Sequence, residues 1–226
     1  MSQLLQTDDF PIFFRELWGE DRDAFPWQKE FARRICVGEW PKYVAAPTGS
    51  GKTACLDAAV FALALQAGLP AQERTAGRRI FFIVNRRVIV DEAFRRAGEL
   101  CQKLIDAAPN SVVGRVATAL RSLGGQSDGH PLTRTQLRGG IYRDRGWAGS
   151  LIQPMIICST VDQAGSRLLF RGYGVSEQAR PIHAALVAQD SVLIVDEAHI
   201  SRPFIQTLEW VEKYRRHEPA LLAGAT

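Results

Sequence analysis

The sequence predicts an α/β fold: a mostly parallel sheet with helices on both faces. Three observations predict it. The strand candidates at 80–84, 155–158 and 192–195 are continuous apolar runs, the pattern of strands covered on both sides. Stretches long enough for helices separate them, as parallel connections require. A glycine-rich turn at 47–53 sits between an apolar run and a helical one, the context in which such turns hold phosphate.

Taken in order, residues 1–24 read as a helical lead-in with Phe10, Ile12, Phe13, Phe14, Leu17 and Trp18 as its apolar set. Residues 43–46 are expected as a short strand entering the glycine-rich turn. The helix expected over 54–67 is apolar nearly all round at 58–65, so it must be buried. It would pack behind the turn and hold it. Strands are expected at 80–84, 112–116, 155–158, 192–195 and 221–223, and helices at 88–107, 161–170 and 204–216. Residues 118–150, rich in Gly and Arg without a period, are expected to be the least ordered region.

With 226 residues, 46% of them hydrophobic, the chain can bury a full core. The longest apolar run, 58–65, falls far short of the roughly 18 residues that would suggest a membrane span. The N-terminus has no basic patch before an apolar stretch, so it does not read as a secretory signal. Cys36, Cys55, Cys101 and Cys158 are widely spaced and suggest neither a zinc knuckle nor a disulfide framework. A cytoplasmic protein without membrane contact is expected. The net charge is +4, and the cations are mostly arginine. Between 121 and 150, Arg121, Arg134, Arg138, Arg143 and Arg145 stand against Asp128 and Asp144. That local excess suits a polyanion, and equally a solvated loop.

The string Ala46-Pro47-Thr48-Gly49-Ser50-Gly51-Lys52-Thr53 predicts a site for ATP. Small residues let backbone N–H groups turn onto phosphate oxygens, which assigns Thr48, Gly49, Ser50 and Gly51 to the cradle. Lys52 would place its ammonium between the outer phosphates. The Thr53 hydroxyl would ligate Mg²⁺, and the following helix would aim its positive end at the nucleotide. Ala46 stands where the widespread pattern has a first glycine.

Asp196 and Glu197 close the strand at 192–195. Adjacent carboxylates repel, so a nearby cation is expected. Asp196 would hold Mg²⁺ through water, and Glu197 would orient or deprotonate the attacking water. A strand-end cap on the next helix is the plainer alternative. His199 is a candidate for coupling through hydrogen bonds to the end of the chain, at Ala225 and Thr226. Upstream, the Gln28 amide can pair with both edges of adenine, with an aromatic stacked on the base. Alternatively Phe25 and Trp27 are core and Gln28 lies on a helix surface.

Nucleic-acid candidates follow the strands. Arg86 and Arg87 open a helix, where cations oppose the dipole unless a phosphate lies between. Thr160 and Asp162 follow the strand at 155–158, although Thr160 can be there merely as an N-cap. Gly139 and Gly140, after Arg138, would let a sugar–phosphate chain approach the backbone, or simply form a turn.

With these residues in place, the chain resembles the first RecA-like domain of superfamily 2 helicases. The A-P-T-G-S-G-K-T loop, the D-E-A-H box at 196–199, the terminal G-A-T and the upstream Gln28 occur in that family's order. Longer strings, R-I-F-F-I-V-N-R-R-V-I-V-D at 79–91, C-S-T-V-D-Q at 158–163, S-R-L-L-F-R-G-Y-G-V at 166–175 and A-H-I-S-R-P-F at 198–204, are similar to the type I CRISPR-associated helicase–nuclease of the I-G or I-U branch.

The resemblance implies the ATP-binding half of a motor on single-stranded DNA, running 3′ to 5′. It implies a guide-RNA surveillance complex of the Cascade type as partner, and an arginine finger from a second RecA-like domain. On this reading residues 25–226 are the helicase ATP-binding domain, and the C-terminal helicase and nuclease domains lie outside the chain. None of His130, His183, His199 and His217 precedes an Asp, so the nuclease's His-Asp pair is not expected here. Rival readings are another superfamily 2 motor (a restriction translocase or an RNA helicase) and a non-catalytic ATP- or DNA-binding module.

Overall fold

The computed structural model describes residues 4–47, 49–139 and 146–223, with side chains as far as Tyr214. Among these residues four parallel strands form one sheet: β1 (Arg79–Val84), β2 (Thr133–Leu137), β3 (Met155–Thr160) and β4 (Ser191–Val195), in the order β2-β3-β1-β4. Among the described residues eight α-helices accompany it: α1 (Phe10–Trp18), α2 (Pro26–Cys36), α3 (Cys55–Leu65), α4 (Arg87–Ile105), α5 (Val112–Leu123), α6 (Val161–Leu168), α7 (Arg180–Ala188) and α8 (Arg202–Ala223).

Alternate residues of the central strands feed two cores. Ile80, Phe82, Ile156 and Cys158 face α1 to α5, while Phe81, Ile83, Met155 and Ile157 face α6, α7, α8 and Trp147. Every residue of β1 and β3 is buried, which is why these strands read as unbroken apolar runs. α3 is buried on all sides but its last residue. Phe61 meets Phe10 and Phe13 at ring-centroid distances of 5.6 and 5.3 Å, so α1 belongs to the same core. No helix among the described residues is long and apolar enough to cross a membrane. All four cysteines are free and buried.

Three expected strands are absent. Residues 43–46 pair with no strand among the described residues; Tyr43 and Val44 are exposed. Pro41 and Pro47 bracket this segment and lack the N–H a ladder needs, and alanine fills half of it. β4 is consequently an outer strand, and all its residues are only half-buried. Residues 112–116 are helical. Val112, Val113, Val116, Ala117 and Leu120 share the buried face of α5, with helical and not strand spacing. Its first turn is doubly capped: Ser111 Oγ accepts from Gly114 N–H at 2.9 Å, and Glu16 accepts from the N–H groups of Val112 (3.2 Å) and Val113 (2.8 Å). Residues 221–223 continue α8, as leucine and alanine readily do.

Three elements were not expected: β2, α7, and α2, which the sequence offered only in the alternative placing of Gln28 on a helix. β2 lies inside the stretch read as least ordered, where Thr135 and Leu137 face inward and Arg134 lies 4.1 Å from the centre of the Phe94 ring. α7 fills the span before β4. At the amino ends of β1 and β4, Asp190 pairs with Arg74 (2.6 Å) and Arg78 (2.7 Å). Burial pushes the Asp190 carboxyl up, but hydrogen bonds from Arg78 and Arg74 outweigh it and hold it below its ordinary range.

Asp57, fully buried in α3, pairs with Arg96 and accepts from the Trp18 indole N–H at 3.2 Å. Burial pushes its carboxyl up to about 6, against the pull of Arg96 and Trp18. The folded chain thus holds this proton more tightly than the unfolded chain. The resulting stability is complete below the unfolded value of 3.8 and is lost as pH rises through about 6. The loss is on the order of 2–3 kcal/mol. Asp57→Asn should remove it, so urea unfolding from pH 4 to 7 should show wild type losing ground to the variant. Parallel curves would contradict the assignment.

Candidate nucleotide and nucleic-acid site

The strands are parallel, so their carboxyl ends lie along one edge of the sheet, where open α/β sheets take ligands. Val84 leads there into Asn85-Arg86-Arg87, Leu137 into Arg138-Gly139, Thr160 into α6, and Val195 into Asp196-Glu197. The glycine-rich loop runs into α3, whose first residues pack in the core beneath the same sheet.

Gly49 and Gly51 adopt left-handed backbone, at φ +79° and +72°. At Gly49 nothing crowds an added Cβ, so the conformation alone calls for glycine. At Gly51 a Cβ would also sit 2.8 Å from Gln28 Nε2. The Ser50 hydroxyl closes the turn on the Pro47 carbonyl at 2.6 Å. A short 3-10 turn, Lys52–Ala54, then enters α3. Lys52 and Thr53 are half-buried, and Lys52 makes no ion pair among the described residues. Thr48 lies outside the described residues.

The start of α2 pins this loop. The Trp27 indole N–H donates to the Ser50 carbonyl at 3.2 Å, and the Gln28 amide donates to the Gly51 carbonyl at 3.0 Å. Gln28 Oε1 accepts from Phe25 N–H at 2.9 Å. Gln28 is buried while Phe25 is exposed, the reverse of the arrangement with Phe25 in the core and Gln28 on the surface. Both ends of the Gln28 amide are engaged inside the chain, so here it braces the loop.

Asp196 extends β4 by one rung, its N–H donating to the Ile83 carbonyl at 2.9 Å. Its carboxylate accepts the Glu197 N–H at 3.0 Å. Burial, then Asp57 and Asp196, push the Cys55 thiol up to about 12, which places the Asp196 charge within electrostatic reach of the first residue of α3. Glu197 is exposed and left-handed, at φ +50° and ψ +44°. A non-glycine residue held there stores strain on the order of 1–3 kcal/mol, as functional turns often do. Neither carboxylate has a cationic partner among the described residues.

This donor set fits Mg²⁺ with a nucleotide. Magnesium keeps several waters and takes one or two carboxylates together with phosphate oxygens, so a dedicated protein cage is not required. Asp196 and Thr53 would hold it, and Lys52 would face the outer phosphates. His199 is exposed in the 3-10 turn Ala198–Ile200; Ala225 and Thr226 lie outside the described residues.

Along the same edge, Arg86 occupies the N-cap position of α4 and Arg87 its first turn. Both are exposed and unpaired among the described residues. A Cβ on Gly139 would lie 3.8 Å from Arg87 Nη2 and 3.2 Å from Gln163 Nε2, so these residues cluster. Thr160 stands at the N-cap position of α6 but its side chain makes no capping bond, and Asp162 is exposed beside it. Gly140, Arg143, Asp144 and Arg145 lie outside the described residues. Arg138 is paired with Asp91 at 2.6 Å.

Sequence reasoning missed Gln163, a neighbour of this cluster, and the bond from Ser201 Oγ to Asn85 Oδ1 at 2.7 Å. Both residues stand inside the motif-like strings, but no spacing rule pairs positions 116 apart. A family model described as type III restriction enzyme, res subunit, matches residues 23–218. No curated protein and no solved structure matches the chain.

Proposed function

The chain belongs to the family described as type III restriction enzyme, res subunit, and from that premise we propose that it is the ATP-binding half of a translocase moving on single-stranded DNA. Membership places it among the superfamily 2 ATP-dependent helicase and translocase motors. The DNA track, the setting and the residue roles are the proposal. The observation that supports it is that the loop of Gly49 to Thr53 runs into α3, whose first residue, Cys55, lies within electrostatic reach of Asp196, while neither Asp196 nor Glu197 has a cationic partner among the described residues.

Backbone N–H groups of Gly49, Ser50 and Gly51 would cradle phosphate, with Lys52 offsetting charge on the outer oxygens. Mg²⁺, when bound, would neutralise charge developing between the outer phosphates. Glu197 would orient and accept a proton from the attacking water. Arg86, Arg87, Gly139, Thr160 and Asp162 would contact the sugar–phosphate chain.

The setting we favour is guide-RNA-directed destruction of invading DNA, with a Cascade-like complex as recruiter, and it rests on the four strings similar to the CRISPR-associated branch. A restriction translocase is the second reading, and the description of the matching family favours it. Hydrolysis by the full-length protein, titrated with single-stranded DNA and with RNA, tests the motor. Turnover indifferent to both would leave a nucleotide-binding module. Stimulation beyond that given by free single strands, by an opened guide-RNA complex or by a restriction recognition duplex, separates the two settings.

Arg86→Ala with Arg87→Ala should weaken single-strand binding without sequence preference. Each lost phosphate contact should flatten the log–log salt dependence by about 0.7. Titrations at several salt concentrations measure this, and an unchanged slope would return both arginines to the solvated surface.

A further inference from the structure

We infer that the Asn85–Ser201 hydrogen bond couples occupancy of the nucleic-acid track to the turn that carries Glu197. The inference rests on the motor reading above and adds two residues that reading does not use. Asn85 follows the last residue of β1 directly and precedes Arg86 and Arg87. Its Oδ1 accepts the Ser201 hydroxyl at 2.7 Å. Ser201 is buried and closes the turn that begins at Glu197: Ile200 N–H donates to the Glu197 carbonyl at 2.9 Å, and Ser201 N–H to the Ala198 carbonyl at 3.0 Å.

This turn has two anchors, and β1 and its extension supply both. At its start, Asp196 N–H donates to the Ile83 carbonyl. At its end, Ser201 donates to Asn85. Between them Glu197 is held left-handed, a conformation that costs energy and persists only while its surroundings enforce it. Ser201 also starts α8, because its carbonyl accepts Ile205 N–H at 3.1 Å, so the far anchor is fixed to a long helix. The Asp196 anchor is backbone ladder and belongs to the sheet. The Asn85 anchor is a single side-chain contact, and the next two residues are the cations offered to the track. A strand seated on Arg86 and Arg87 must act on the chain at Asn85. The bond from Asn85 passes that displacement to Ser201 and hence to the turn. Physical coupling of this kind needs a two-state element that both sites bias, and we assign that part to the strained turn.

The test is hydrolysis by the full-length protein, with and without poly-deoxythymidine, in wild type and in Asn85→Ala, Ser201→Ala and the double variant. Losing one ordinary hydrogen bond should lower the ratio of stimulated to unstimulated turnover about fivefold. Unstimulated turnover and single-strand affinity should stay near wild type. The double variant should lose no more than either single one, because both remove the same bond. Asn85→Asp, which keeps the acceptor, should retain the ratio. A ratio unchanged in both alanine variants overturns the coupling and leaves the motor standing. So does a fall in stimulated and unstimulated turnover together with a lowered Tm, which would make the bond merely structural. A wild type that single strands do not stimulate overturns the motor reading, and the coupling with it.

Discussion

Glu197→Gln is expected to hold nucleotide while losing hydrolysis. The substitution keeps the size of the side chain and its left-handed turn, since the φ of +50° is imposed by the two anchors and not by the carboxylate. What it removes is the proton acceptor. Asp196 keeps its place in the β4 ladder through the bond to Ile83, and Lys52 and Thr53 are untouched. Nucleotide affinity should therefore stay near wild type. Losing a general base typically costs about 10²- to 10⁴-fold, or roughly 3–5 kcal/mol of transition-state stabilisation. Single-turnover hydrolysis by the full-length protein, beside a fluorescent-nucleotide titration, separates the two effects. Normal hydrolysis in this variant would reduce Glu197 to a turn residue. Its exposure and lack of a cationic partner among the described residues would then need another account.

The parts of the fold that hold the candidate site were legible because burial on both faces leaves a simple record. β1 and β3 are covered above and below, and apolar residues fill them without alternation. β4 read the same way although its outer edge lacks a partner among the described strands. Its side chains are apolar for the two cores it touches, so the apolar run reports facing layers and not position in the sheet. The errors came where local composition and tertiary context disagree. The Val112-Val113 pair has strand propensity, but Glu16, nearly a hundred positions away, caps its N–H groups and fixes a helix start. No local pattern contains that contact. β2 was invisible for the opposite reason. Its Thr-Arg-Thr-Gln-Leu is polar because only alternate residues face inward, and Arg134 spends its charge beside Phe94.

At the candidate site, the turn was readable because its left-handed positions call for glycine. Gly49 and Gly51 must turn left-handed, and Lys52 and Thr53 must follow at once. For Gln28 the sequence offered an adenine-facing amide, and the fold adds two bonds that brace the loop. An amide that can face an adenine can equally bridge two backbone groups, and only the fold shows that both its ends are taken by Phe25 and Gly51. Asn85 and Ser201 lay beyond reach because the bond between them joins the end of β1 to the start of α8, 116 positions apart.

Lys52→Ala is expected to weaken nucleotide binding by one to two orders of magnitude, roughly 10- to 150-fold. Lys52 follows two left-handed glycines and opens the turn into α3, so its position is set by backbone that the substitution leaves alone. The loop should keep its shape, since Trp27 and Gln28 brace it through the carbonyls of Ser50 and Gly51 and not through the lysine. The loss is then one of charge. A charge-assisted contact is worth about 1.5–3 kcal/mol, which corresponds to roughly 10- to 150-fold in affinity. Because no carboxylate pairs with Lys52 among the described residues, its removal should strand no buried partner, and Tm without nucleotide should barely move. What should shrink is the rise in Tm that ATP with Mg²⁺ gives wild type at a given concentration, since a ligand stabilises only the state that binds it, by an amount set by its affinity. Thermal unfolding of both proteins across a nucleotide titration measures this directly. An equal rise in the variant would mean that Gly49 to Thr53 form a helix-opening turn and that the nucleotide binds elsewhere.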